Sequence, residues 1–183
     1  MLSGLAAFSQ NTTNSYTGQE TKTNDQRSNV ASGGAASSPI ITAVTGGSTL
    51  SGFTFDGGFQ FTVSGSYTIT DLGRFALSGN SLSHTIYIRD SSCNVLASKA
   101  VSMSGVTAGT AAYGSITPLV LSAGTYYCLC SELTGGDSYL SDNCTITSSG
   151  AVTITSSAYR NTTCSLQTAG VKAFGVATFK GHP

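Results

Sequence analysis

A chain of 183 residues has room for one well-buried core and, once a polar N-terminal stretch is set aside, too little for two. Eight basic and eight acidic side chains cancel, and Lys and Arg gather into no stripe of the kind that phosphate backbones select, which argues against nucleic acid as a partner. With 29 Ser, 26 Thr and 22 Gly against 9% charged residues, the surface is neutral and hydroxyl-rich, and little self-repulsion opposes association of copies.

The first eight residues, Met1 to Phe8, are briefly apolar but lack the basic leader and full apolar run of a secretory signal, and no later stretch is apolar enough to span a membrane as a helix. The reading is therefore no signal peptide and no membrane anchor, with release by cell lysis fitting an uncleaved Met1. Residues 9–38 hold almost no large apolar side chains and no alternation that would bury a face, so residues 1–38 read as an extended polar arm. Residues 39–183 read as a single domain.

From Pro39 onward, short β-branched and aromatic runs alternate with Gly, Ser and Asn at strand-and-turn spacing, and helical periodicity is absent. The expected strands are 40–45, 52–55, 59–63, 67–77, 84–89, 95–103, 113–121, 126–133, 151–159 and 171–179. About ten short strands with no internal repeat imply an all-β fold, a β-sandwich or jelly roll with an extended N-terminal arm. In the run 83–89, alternation turns His84, Ile86 and Ile88 inward and sets Thr85, Tyr87 and Arg89 toward solvent or a partner. Gly-rich turns such as 78–80 and 134–137 supply the reversals and require no phosphate-binding loop.

Five cysteines, at 93, 128, 130, 144 and 164, form no C-x-x-C pair, so a thiolate metal or redox site is not indicated. Cys128 and Cys130 share one face of a strand and cannot bridge each other without distortion, and Cys144 with Cys164 is the more plausible disulfide; unless the compartment is oxidising, the first reading is that most of the five are small buried hydrophobes.

The stretch from Asp71 through Gly73-Arg74-Phe75-Ala76-Leu77-Ser78-Gly79-Asn80 to His84-Thr85-Ile86-Tyr87-Ile88-Arg89-Asp90, with Leu121-Ser122-Ala123-Gly124-Thr125-Tyr126-Tyr127 following, resembles β-sandwich modules of secreted bacterial proteins and of bacteriophage virion proteins. The resemblance covers much of residues 50–140. It implies a jelly-roll-like fold and a role in adhesion, carbohydrate binding or particle decoration, and it carries no catalytic residues to transfer.

Chemistry has few candidates. Of two histidines, His182 adjoins Pro183, so any acid–base scheme would rest on His84, which has no nucleophile motif beside it; the chain reads as a non-enzyme. Glu132, Asp137 and Asp142 form the one local acidic cluster, suited to a structural calcium ion or simply to capping turns. No other cofactor is expected. Tyr87, Tyr126, Tyr127 and Tyr139 offer rings for sugar stacking or ordinary strand packing, and the chain has no Trp. Tyr87, Arg89, Glu132, Asp137, Tyr139 and Asp142 are thus the candidate binding residues. Acceptor patterns for glycosylation at Asn11, Asn143 and Asn161 carry no weight in a chain this rich in Asn and Thr.

These observations lead to a structural protein of a phage virion as the expected function: a head-decoration, head-fibre or tail-associated subunit, homo-oligomeric and docking on virion proteins through residues 1–38. The alternative is an extracellular carbohydrate-binding or adhesive module that engages a host-surface glycan.

Overall fold

The computed structural model describes residues 35–52, 54–132 and 136–183. Strands follow one another as β1 (Ser38–Pro39), β2 (Ile41–Thr45), β3 (Thr49–Leu50), β4 (Phe55–Val63), β5 (Tyr67–Phe75), β6 (Ser83–Arg89), β7 (Val95–Ser102) and β8 (Ala111–Leu121). They continue as β9 (Gly124–Glu132), β10 (Tyr139–Leu140), β11 (Cys144–Ser148), β12 (Thr153–Arg160), β13 (Cys164–Ala169), β14 (Lys172–Ala173) and β15 (Ala177–His182). No helix among the described residues is long and apolar enough to cross a membrane. The expected all-β class holds.

A six-stranded sheet of order β13-β12-β4-β9-β6-β7 faces a four-stranded sheet of order β1-β15-β5-β8, and every pairing is antiparallel. Small sheets β14-β11-β2 and β10-β3 complete the body. The two-residue period of a strand explains the packing. In β4, Phe59, Phe61 and Val63 are buried while Gln60 and Thr62 are only half-buried. Cys128 and Cys130 of β9 and Ile86 and Ile88 of β6 point into the same core. From the opposite sheet Phe179 of β15 meets Phe61 at 4.9 Å and Phe59 at 6.4 Å between ring centroids, and Tyr67 approaches it edge-on at 6.2 Å. Against β15 the pairing steps from Lys180–Asp71 to Gly181–Ile69, which leaves Thr70 as an extra residue in β5, so the inward set moves from Tyr67 and Ile69 to Leu72.

Close approach of strands dictates one glycine. A Cβ on Gly58 would stand 1.8 Å from the carbonyl oxygen of Cys128 on the paired strand, so no side chain fits where β4 crosses β9.

Several expectations are corrected. The disulfide joins Cys93 to Cys164, with Cα atoms 5.6 Å apart, and not Cys144 to Cys164. Cys144 is a fully buried thiol that donates to the Ala173 carbonyl at 3.1 Å, and burial pushes its pKa up. The sequence spacing of 20 residues suggested proximity, but β11 and β13 lie in different sheets, whereas the β6–β7 turn folds back over the β12–β13 turn. Residues 171–179 make two strands, β14 and β15, broken at Phe174–Val176, and the expected strand at 52–55 starts only at Phe55. The short strands β1, β3 and β10, and the longer β11 and β13, were not expected. Arg89, placed toward solvent by alternation, is 6% exposed. Of the expected arm, residues 1–34 lie outside the described residues, while Ser38 already belongs to β1, paired with Gly181.

Candidate functional site

Two polar clusters stand out, one within the loops at an end of the sandwich and one on the outer face of the large sheet. The first is built around Asp137. Its Oδ1 and Oδ2 accept the Ser81 N–H at 2.9 Å, and Oδ2 also accepts the Leu82 N–H at 2.9 Å and meets His84 Nε2 at 3.1 Å. His84 Nδ1 lies 2.9 Å from the Ser131 carbonyl oxygen, so both ring nitrogens face acceptors, and the residue is 1% exposed. Such a ring turns no lone pair to solvent; it ties the start of β6 to β9 and to the segment between β9 and β10, while Asp137 holds the loop after β5.

Beside it, fully buried Arg74 donates to Asn80 Oδ1 at 2.7 Å and to the Ser138 carbonyl at 3.0 Å, while Asn80 Nδ2 donates to the same carbonyl at 3.2 Å. The two networks therefore share the Asp137–Ser138 segment.

Burial pushes the Asp137 carboxyl up, but the N–H donors of Ser81 and Leu82 and the His84 ring outweigh it and hold the carboxyl below its ordinary value. A carboxylate whose pKa is depressed on folding stabilises the fold above its unfolded value near 4, and that contribution is lost as pH falls through the folded value. Asp137→Asn keeps one acceptor oxygen for the two N–H donors, and its expected cost near neutral pH is about 1–3 kcal/mol. In urea titrations the gap between wild type and Asp137→Asn should shrink as pH is lowered from 7 to 3. A gap that stays constant would sink the account.

The second cluster straddles β4, β6 and β12. Asp56 Oδ2 receives Arg89 Nη2 at 3.3 Å and Arg160 Nη1 at 3.5 Å. β12 and β4 are paired in register at Arg160 and Asp56, whereas Arg89 reaches across from β6. The Arg89 guanidinium carbon sits 4.6 Å from the Tyr87 ring centroid, and Nη1 donates to the Cys93 carbonyl at 3.0 Å. Burial and the nearby Arg160 charge lower the Arg89 pKa, against the opposing pull of Asp56 and Tyr87.

The Cys93–Cys164 bridge crosses the same face, over a small apolar cluster of Tyr127, Leu129 and Ala158 against which Cys164 packs. Cys93 has a φ of +69°, a left-handed conformation unusual outside glycine, in a turn whose Asp90 Oδ1 accepts the N–H groups of Ser92 and Asn94.

The candidate residues therefore divide. Tyr87 and Arg89 come together with Asp56 and Arg160. Asp137 belongs to the loop network, and Asp142 separately accepts the Thr168 hydroxyl at 2.7 Å. Tyr139 is 1% exposed, its ring against Phe55 and Phe174 in the interior and therefore no stacking platform. The side chain of Glu132 lies outside the described set. Among the described residues no three His, Cys, Asp or Glu side chains converge as metal ligands do. Asp56, Arg160 and Cys93 were missed, and each enters through strand register or a turn contact that no local motif encodes. Compared with known protein families, curated proteins and solved structures, the chain matches none.

Proposed function

We infer that this protein is a non-enzymatic structural subunit of a bacteriophage virion, a head-decoration, head-fibre or tail-associated component that docks through its N-terminal arm. The observation that carries the reading is β1. Where the chain enters the sandwich it becomes an edge strand at once: Ser38 pairs with Gly181, Pro39 with Lys180, and the Ile40 N–H donates to the Phe179 carbonyl at 3.1 Å. The Thr70 hydroxyl adds a bond to Ser37 Oγ at 2.8 Å. A pull on the preceding segment is thus carried into the four-stranded sheet at β15, the strand that bears Phe179, which suits an anchored subunit. A neutral, hydroxyl-rich surface that does not repel its own copies supports the same reading.

Deleting residues 1–34 spares all of these contacts. The truncated protein is expected to fold with an unchanged melting temperature and to be missing from purified particles of the phage that encodes it. Normal incorporation would overturn the arm as the anchor.

A second reading, a secreted carbohydrate-binding or adhesive module, is favoured by the disulfide, which suits an oxidising, extracellular setting, and by the Tyr87–Arg89 stack on the same face. Glycan binding by a truncated chain that still enters particles would shift the conclusion to it.

A further inference from the structure

Two buried donors in the Asp56 cluster have no partner among the described residues. Arg89 is 6% exposed, yet its Nε–H, like that of Arg160, is enclosed without a hydrogen bond. Buried donors are nearly always satisfied, and an exception points to a group that the protein itself does not supply. Charge says which kind. Two guanidinium groups share Oδ2 of Asp56, and among the described residues no other carboxylate bonds to either, so one positive charge is left unmatched. The two cations also oppose each other, since Arg160 helps to lower the Arg89 pKa. An anion relieves both conditions.

The geometry offers that anion one edge. Arg160 bonds only through Nη1, and at 3.5 Å this contact stands at the limit of hydrogen bonding, so Nε and Nη2 are left together as an unused fork. The side chain is 31% exposed, and a small turn away from Asp56 brings the fork to the surface. A planar carboxylate meets such a fork with two parallel bonds.

Arg89 stands behind as the second charge, held by the Cys93 carbonyl at 3.0 Å and by Asp56, with its guanidinium over the Tyr87 ring. The disulfide steadies both sides. Cys93 supplies that carbonyl, and Cys164 is the register partner of Arg160. A site fixed before its ligand arrives loses less freedom on binding.

We propose that Arg160, backed by Arg89, binds the carboxylate of an acidic sugar. The sugar follows from the rim. Asn161, Thr162 and Thr163 come directly after Arg160 and are all exposed, which sets an amide and two hydroxyls beside the carboxylate for the hydroxyls of a sugar ring. A subunit that docks by its arm can carry such a site, so the inference goes beyond that reading and does not depend on it.

The test uses the full chain with sodium glucuronate, glucose and sodium acetate, followed by NMR of the arginine Nε–H signals. Glucuronate should move the Arg160 and Arg89 signals saturably and leave that of Arg74, in the other cluster, in place. Glucose should move none, and acetate should bind at least tenfold more weakly than glucuronate. Arg160→Lys keeps the charge without the fork and should weaken glucuronate binding at least tenfold. Lys180→Gln, which removes a charge from the opposite sheet, should change nothing. Unchanged melting temperatures verify that both variants fold, and the wild-type signals decide the matter without them. Signals that stay still overturn the site. Acetate as tight as glucuronate overturns the sugar and leaves a free carboxylate as the ligand. Full affinity in Arg160→Lys overturns the fork, and an equal loss in Lys180→Gln overturns the site in favour of diffuse charge. Deleting residues 1–34 decides particle docking separately from every one of these outcomes.

Discussion

Phe179→Ala is expected to destabilise the sandwich by about 3–5 kcal/mol, the range for removing a fully buried aromatic side chain. Phe179 projects from β15 into a cluster to which both sheets contribute rings: Phe59 and Phe61 from β4, Tyr67 from β5. Its own exposure is 0%, and so is that of Phe59, Phe61 and Ile69, so the void left by truncation cannot be filled without moving strand backbones. In a domain of this size the loss should lower the melting temperature by on the order of 10 °C. Phe179→Leu, which refills most of the volume, should recover more than half of it. Thermal melts of the two variants decide: equal losses would mean that the ring cluster does not organise the core.

Breaking the Cys93–Cys164 bridge should cost about 4 kcal/mol. The bridged residues are 71 apart in sequence, and closing a loop of that length removes much of the unfolded chain's freedom. Cys93→Ser also leaves position 93 at a φ of +69° with nothing covalent to hold it there, while the Asp90 turn and the Arg89 bond to its carbonyl must keep the loop down alone. Peptide mapping without reduction should recover a linked pair containing Cys93 and Cys164, and Cys128 and Cys144 should react with alkylating reagents only after unfolding, since both are fully buried and burial pushes their thiol pKa values up. Recovery of a Cys144–Cys164 peptide would overturn the assignment.

How far the sequence foretold the molecule depends on the range of the interaction. Alternation in β6 correctly turned His84, Ile86 and Ile88 inward, because a two-residue period is a local property. The same rule put Arg89 on the outer face with Tyr87, where it lies, but did not foretell its burial: its long side chain lies back along the sheet to Asp56, a partner 33 residues away that only the β4–β9–β6 order brings near. The strands missed were largely two-residue pieces such as β3 and β10, which exist through pairing with each other and show no hydrophobic pattern of their own. Residues 171–179 looked continuous because a run of apolar residues does not reveal that Gly175, with a φ of +90°, ends one strand before the next begins. The sequence grouped Asp137 with Glu132 and Asp142, whereas the groups that occupy its carboxylate are the N–H donors of Ser81 and Leu82 in the loop after β5 and the His84 ring at the start of β6, more than fifty residues earlier.

The place of β15 in the four-stranded sheet bears on how the molecule comes to exist at all. The last strand of this sandwich is an interior one, flanked by β1, from its start, and by β5. While the ribosome is still translating residues before Ala177, β1 has no neighbour to pair with, β5 has one free side, and the ring cluster lacks its central member. The nascent chain must therefore wait, with apolar strands uncovered, for the closing segment to emerge. Such long-range closure is slow, and it makes the interval before the last strand is made the period of greatest exposure to misassociation in the cell.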